Sequence, residues 1–357
     1  MIFTPTTRRL FRLAAVHAPL VLVEEVRGLS LGSKTRPLFR QITTSRGGKT
    51  WPRPFATTGR ATMTPSPDAV ASDAPGGDAG VVGGEGEKGL FLFDFDGVVC
   101  DSCDECTVSS LRTLRDIGVA EGLSLPDYPP PWLFERMRAV RPAIEVGWQI
   151  PVLLAAVVEQ RSEEVSGGRE AMSVDEVVAN YEDIVATFLV KWNKSERDMI
   201  DAFGGVRDAW IADDLPSWLD INVFYPGIPD ALTACLGEGI LVTTKQHRFA
   251  VALVRHAGVG SEAMPDEKIY GLGMYKGKAD VIADLMTSGG YAPKNIYFFE
   301  DRWPTLVKCL KDKRLDGVKL HLCSWGYVTA LERKLAEAEP RVEVIDLADF
   351  TRLVASA

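Results

Sequence analysis

The stretch 89–102, GLFLFDFDGVVCDS, constrains this chain more than any other. Five consecutive apolar or small residues, Gly89 to Phe93, read as a buried strand that ends at Asp94, and Gly97 follows as the turning residue. Side chains two apart on an extended chain point the same way, so Asp94 and Asp96 share one small site as the chain leaves the sheet. Two carboxylates that close repel each other unless a cation or a shared proton compensates, and a divalent metal is the economical compensation.

From Pro226 onward the chain alternates between two patterns. PGIPDALTACLGEG reads as a helix, GILVTT as a short buried strand and KQHRFAVALVRHAG as a helix. A short KIYG segment leads to the helix GKADVIADLM, the strand NIYFFE, the helix PTLVKCLKD, the strand VKLHLCSW, the helix TALERKLAEA and the strand RVEVID. Such alternation predicts an α/β fold: a Rossmann-like doubly wound parallel sheet, covered on both faces, with its site at the carboxyl ends of the strands. Residues 103–117 carry helical spacing (Val108, Leu111, Leu114, Ile117). From there to about residue 225 the pattern shows no strand: PWLFERMRAV, AIEVGWQIPVLLAAVVEQ, SVDEVVANYEDIVATFLVKW, SERDMIDAFG and VRDAWIADDL read as helices broken by Pro or Gly. The expected layout is a core of residues 89–102 and 226–357 and an all-helical cap domain of residues 103–225, whose Trp148, Trp192, Trp210 and Trp218 fill its interior.

The amino-terminal end has a different character. Residues 1–62 carry eleven Lys or Arg against only Glu24 and Glu25, a surplus of nine positive charges, so a chain of net charge −9 has a remainder near −18. A basic, Ser/Thr-rich leader of this kind reads as an organelle transit peptide, with the chloroplast as the expected address and a mitochondrial or cytoplasmic location as the alternative. Residues 63–88, rich in Gly, Ala, Pro and Asp, read as a flexible linker that leaves the leader a disordered extension. The acidic remainder argues against nucleic acid as a partner, since phosphate contacts need a basic face. No apolar run reaches the roughly 20 residues that span a bilayer, and no membrane partner is expected. Cys100, Cys103 and Cys106 form a C-x-x-C-x-x-C run without a fourth ligand nearby, and read as reduced thiols at helical spacing rather than as a metal site.

The hydrophobic strand ending in Asp-x-Asp-Gly resembles the first motif of the haloacid dehalogenase-like hydrolases. The resemblance implies that Asp94 is the nucleophile and Asp96 the general acid/base. Thr243, ending GILVTT, resembles the second motif, whose hydroxyl binds a phosphoryl oxygen, and Thr244 beside it is a further phosphate-binding candidate. Lys278 in YKGKADVI resembles the third, a Lys that neutralises phosphoryl charge, with Lys276 as the alternative. Glu300 and Asp301, ending NIYFFED, resemble the fourth, where acidic residues complete a Mg2+ site with Asp94 and the Asp96 backbone carbonyl. Many relatives have Gly in place of Glu300 and a further Asp four or five residues on, where this chain has Thr305 and Leu306. The segments VRPAIEVGW, VRDAW, FYPGI, VTTKQ, FFEDR and SWGY are similar to a plant and cyanobacterial branch of these hydrolases.

That resemblance implies a magnesium-dependent phosphomonoesterase acting through an aspartyl-phosphate on a small phosphorylated metabolite. A phosphomutase, or a non-catalytic regulatory protein that kept the fold, are the alternatives; a haloacid dehalogenase proper lacks the second Asp and needs no metal. The cap occupies the position of a lid that presents specificity residues to the leaving group. Arg138, Arg141 and Glu145 in the cap, and Lys245, Gln246 and His247 beyond Thr243, are the candidates for substrate contact.

Overall fold

The computed structural model describes residues 89–355 apart from 121, 122, 124 and 169; the leader and linker expected over residues 1–88 lie outside the described residues. Strand β1 (Leu90–Phe93) is buried at every position. It forms the middle of a parallel sheet because all its side chains are apolar, as a strand covered on both faces requires. The remaining strands are β2 (Cys100–Asp101), β3 (Val223–Phe224), β4 (Glu238–Val242), β5 (Ile269–Tyr270), β6 (Ile296–Glu300), β7 (Lys319–Cys323) and β8 (Val342–Ile345). Six of them make one sheet in the order β5-β4-β1-β6-β7-β8, every pair parallel. The order reverses at β1, whose neighbours β4 and β6 lead away to opposite edges. A crevice therefore opens at the carboxyl end of β1, where ligands bind in doubly wound folds.

Alternation along β1 divides the core. Phe91 stacks on Tyr297 and Phe93 on Phe299, with ring centroids 4.7 and 5.3 Å apart. This aromatic face packs under α6 (Ile228–Thr233), α7 (His247–His256) and α11 (Leu347–Ala355). Leu90 and Leu92 point to the other face, beneath α8 (Lys278–Gly289), α9 (Trp303–Lys311) and α10 (Ala330–Glu337). The period of two that assigns a strand thus also assigns the helices above and below it.

The insertion is built from α1 (Cys103–Asp116), α2 (Pro131–Val140), α3 (Ile150–Val165), α4 (Val174–Trp192) and α5 (Glu196–Asp220), around a third apolar cluster. Three features depart from the expectation. First, β2 and β3 pair antiparallel where the chain enters and leaves the insertion, Cys100 opposite Phe224 and Asp101 opposite Val223. Two residues are too few to register as a strand in any periodic pattern. Second, α5 runs through Gly204 and Gly205, where a break was expected. A Cβ on Gly204 would lie 2.8 Å from Gln246 Nε2, so this glycine permits close approach to the start of α7 rather than ending a helix. The real break is at Asp214 (φ −150°, ψ 75°), two residues before Pro216, where the Asp214 carboxylate accepts the Ser217 N–H at 3.2 Å and caps a new helical segment. The tryptophans also divide. Trp148 sits in the insertion's core, while Trp210 and Trp218 pack with the sheet's aromatic face, Trp218 against Phe249 of α7.

Candidate active site

The Asp94 N–H donates to the Phe299 carbonyl at 2.9 Å, the last rung between β1 and β6. Beyond it the Phe95 carbonyl accepts the N–H groups of Val99 and Cys100, and Gly97 donates to the Cys100 carbonyl, closing a loop that carries the chain into β2. Gly97 has φ +90°, and a Cβ there would lie 1.9 Å from Asp301 Oδ2. Gly326 closes the other side: its Cβ would lie 2.4 Å from Asp301 Cβ. Asp301, directly after β6, is therefore held between two bare backbones. Replacing Gly97 by Ala should both strain a left-handed residue and displace Asp301. We expect a loss of about 1–3 kcal/mol in urea unfolding, together with weakened binding of divalent cation by calorimetry; wild-type values in both would show that neither the turn nor the close approach matters.

The carboxylates so placed are buried together. One oxygen each from Asp94, Glu300 and Asp301 lie within 4.8 Å of one another. Lys278, the first residue of α8, reaches into the group: its Nζ is 2.8 Å from Asp94 Oδ1 and 2.7 Å from Glu300 Oε2. The other oxygen of Glu300 accepts the Arg302 N–H at 3.1 Å. Asp301 Oδ2 accepts the Tyr327 N–H at 2.6 Å, whereas its buried Oδ1 has no hydrogen-bond donor. Burial, reinforced by Glu300 and Asp96 and opposed by Lys278, raises the Asp94 carboxyl to about 7. Burial and the neighbouring Asp94 raise Asp301 to about 6, and burial raises Glu300 too, against Lys278. Lys278 itself stays protonated, because Asp94 and Glu300 outweigh its desolvation.

Three carboxylates facing one ammonium, if all ionised, would leave two negative charges uncompensated, with an unpaired oxygen on Asp301. A hard divalent cation fits that donor set. Glu300 contributes less to it than Asp94 and Asp301, since both its oxygens are already engaged.

Asp96 faces a different group. Its Oδ1 accepts from Ser102 Oγ at 2.5 Å and pairs with Lys245 Nζ at 3.1 Å. Burial pushes this carboxyl up, but Lys245 and Arg141 outweigh it and hold the pKa below the ordinary value. Thr243 is fully buried, its Oγ1 accepting the Lys245 N–H at 3.1 Å. Thr244 lies on the wall of the cavity over Asp94, and donates to the Glu145 carbonyl at 3.3 Å.

That cavity, about 300 Å³, is bordered by Asp94, Asp96, Lys278, Glu300 and Thr244 from the core, and by Arg141 and Glu145 from the insertion. Lys276 is exposed at its edge. Arg138 stays outside it, on the last turn of α2, paired with Asp104 at 2.8 Å. The reading from sequence missed Tyr275, whose buried hydroxyl has no partner in the same cavity, and Tyr327. The Tyr327 hydroxyl donates to Asp101 Oδ1 at 2.8 Å and accepts the Ser102 N–H at 3.0 Å, tying the Asp301 side of the site to the Asp96 side. Cys103 and Cys106 are buried free thiols on α1, whereas Cys100, also buried and free, lies in β2 rather than on the helix.

No family model matches the sequence, and no curated protein matches it. Among solved structures, the chain is similar to a predicted phosphoglycolate phosphatase from Haemophilus somnus, at 17% identity over 76% of this chain and 99% of that one, with a TM-score of 0.47. It is also similar to a predicted phosphatase from Clostridium acetobutylicum (17% identity, 74% of this chain, 97% of that one, TM-score 0.46). A haloacid dehalogenase-like hydrolase from Streptococcus pneumoniae is a third (17%, 72% and 94%, TM-score 0.42). Likeness at this level carries no weight for activity.

Proposed function

We propose that the chain is a magnesium-dependent phosphomonoesterase of the capped haloacid dehalogenase-like type, similar to the plant and cyanobacterial branch, and that it works through an aspartyl-phosphate. The observation that carries this reading is the arrangement around Asp94: a nucleophile-capable carboxylate at the sheet's switch point, 2.8 Å from the half-buried Lys278, beside an Asp301 oxygen without a donor. Lys278 and the Thr244 hydroxyl receive the phosphoryl oxygens. Asp94 attacks phosphorus in line; the bond from phosphorus to the leaving oxygen breaks with its electron pair on that oxygen, which is protonated through Asp96, and because Lys245 and Arg141 keep that carboxyl ionised in the free protein the proton it relays enters with a monoprotonated phosphate ester. Asp96 then takes a proton from water as it attacks the phospho-aspartate, releasing phosphate and restoring Asp94. Asp94 and Asp301, with the Asp96 carbonyl, would hold Mg2+, which when bound offsets charge on the phosphoryl group and the carboxylates. The insertion covers the cavity and keeps bulk water from the first displacement.

Phosphate release from a panel of phosphate monoesters, titrated with Mg2+, tests the proposal. Activity should require Mg2+, and Asp301→Asn should raise the Mg2+ concentration needed for half-maximal rate by about tenfold or more, the factor equivalent to 1.4 kcal/mol of lost metal binding. Glu300→Gln should shift that midpoint less, and lower the maximal rate instead, because it loosens Lys278. Wild-type turnover in excess chelator would refute the mechanism.

A further inference from the structure

Arg141 is a buried charge that the steps above leave unused. It follows α2, only 6% exposed, with its guanidinium 4.3 Å over the Tyr327 ring. Its Nη1 makes one long hydrogen bond, 3.4 Å to the Ile144 carbonyl, and its Nε has no partner. Among the described residues no carboxylate lies within ion-pair distance of it. The acids nearby are engaged elsewhere: Asp96 by Lys245 and Ser102, and Glu145 by Lys308. A guanidinium withdrawn from water with no carboxylate in contact is costly, and a ligand that brings an anion to it supplies the missing contact.

The position of Arg141 says which part of a ligand it meets. The phosphoryl-binding groups come from the sheet, whereas Arg141 comes from the insertion that covers the sheet's end, and both border the same cavity. In-line attack from Asp94 sends the leaving group away from the nucleophile, toward that cover. We infer that Arg141 forms an anionic subsite for the leaving group, so that the substrate is a small phosphate monoester carrying a second anionic group, a carboxylate or a second phosphate. This rests on the phosphatase reading above. The planar fork of the guanidinium matches either oxyanion through paired hydrogen bonds, and the stacking on Tyr327 orients the fork before a ligand arrives. The cavity of about 300 Å³ limits the ester to a few carbons beyond the phosphoryl group.

The test is a comparison of esters matched in size: the phosphate esters of lactate, lactamide and propane-1,2-diol, and propane-1,2-diol bisphosphate, with p-nitrophenyl phosphate as a general probe. With the full chain and Mg2+, kcat/KM for the lactate ester or the bisphosphate should exceed that of the two neutral-tailed esters by about tenfold or more, the size of one charge-assisted hydrogen bond. Whichever of the two anionic esters leads identifies the anion. In Arg141→Met that ratio should fall to about twofold or less, and Arg141→Lys, which keeps charge without the fork, should lie between. Release from all four esters at similar kcat/KM in the wild type overturns the subsite and leaves the phosphatase reading standing. A ratio that survives in Arg141→Met overturns the role of Arg141. No release from any ester, p-nitrophenyl phosphate included, overturns the phosphatase reading and this one with it. The wild-type ratio decides even if the Met variant fails to fold.

Discussion

Asp94→Asn should reduce phosphate release to background, a loss of at least about 10³-fold, or ~4 kcal/mol of transition-state stabilisation, while the protein remains folded. The amide nitrogen and oxygen cannot form the phospho-intermediate, yet the substitution changes almost no volume in a residue that is 6% exposed. It also removes one of three crowded carboxylates, the one whose burial raises it to about 7, so folding stability near neutral pH should hold or rise. Intact mass after an acid quench should show a phospho-enzyme in the wild type during turnover and none in the variant. Lys278→Met is the companion: it leaves Asp94 and Glu300 without the ammonium 2.8 and 2.7 Å away, and should cost a comparable factor. Lys276→Ala, at an exposed position on the cavity's edge, should cost only a fewfold. Undiminished release from Asp94→Asn would remove the nucleophile assignment, and the reverse ranking of the two lysines would reassign the third motif.

The parts of this site that could be read from sequence are those fixed by the strand ends. Apolar runs ending in acids or hydroxyls point to β1, β4 and β6, and parallel packing then places Asp94, Glu300 and Asp301 around one crevice with no knowledge of side-chain contacts; the hydroxyl that borders it is that of Thr244, whereas Thr243, the residue matched to the second motif, is fully buried with its oxygen turned to the Lys245 N–H. Lys278 was legible for a related reason, as the first residue of a helix beginning after a glycine. What escaped depends on contacts between distant segments. Nothing in the spelling of Glu300 reveals that its two oxygens are spent on Lys278 and the Arg302 N–H, and nothing in SWGY reveals that Tyr327 bridges Asp301 and Asp101. Glycines misled in the same way. Gly204 resembles a helix end until the side chain packed over it is known. Local pattern encodes period and termini; the use of a polar group inside the fold is settled by its partner.

The clearest case is Glu105 with Arg207, 102 residues apart and invisible to any local pattern. Glu105 on α1 has no exposed surface, and Arg207 on α5 meets it with two parallel bonds, Nε to Oε1 at 2.8 Å and Nη2 to Oε2 at 2.7 Å. Ser109 donates to the same carboxylate at 2.6 Å, and the guanidinium lies 3.9 Å over the Phe203 ring. Glu105→Gln would keep the shape and strand Arg207 as an uncompensated buried charge, so it should cost about 3–5 kcal/mol. Glu105→Leu combined with Arg207→Met should recover most of that loss, since an apolar pair of similar volume avoids desolvating either charge. The pH dependence has a definite sign. Burial pushes the Glu105 carboxyl up, but Arg207, with help from Lys245 and Ser109, brings it down to about 2 from the usual 4.5. A carboxyl with a depressed folded pKa contributes its stabilisation fully above the unfolded value and loses it as pH falls toward the folded one. The gap in unfolding free energy between wild type and Glu105→Gln should therefore be widest above about pH 5 and shrink by about 3 kcal/mol as pH falls to 2, a shift of some two and a half units at 1.36 kcal/mol each. Taking the difference between the two proteins cancels the other groups that titrate in that range, including the cluster around Asp94. A gap that stays constant from pH 6 to pH 2 would mean that the pair holds α1 to α5 by shape alone and that its charge does nothing for the fold.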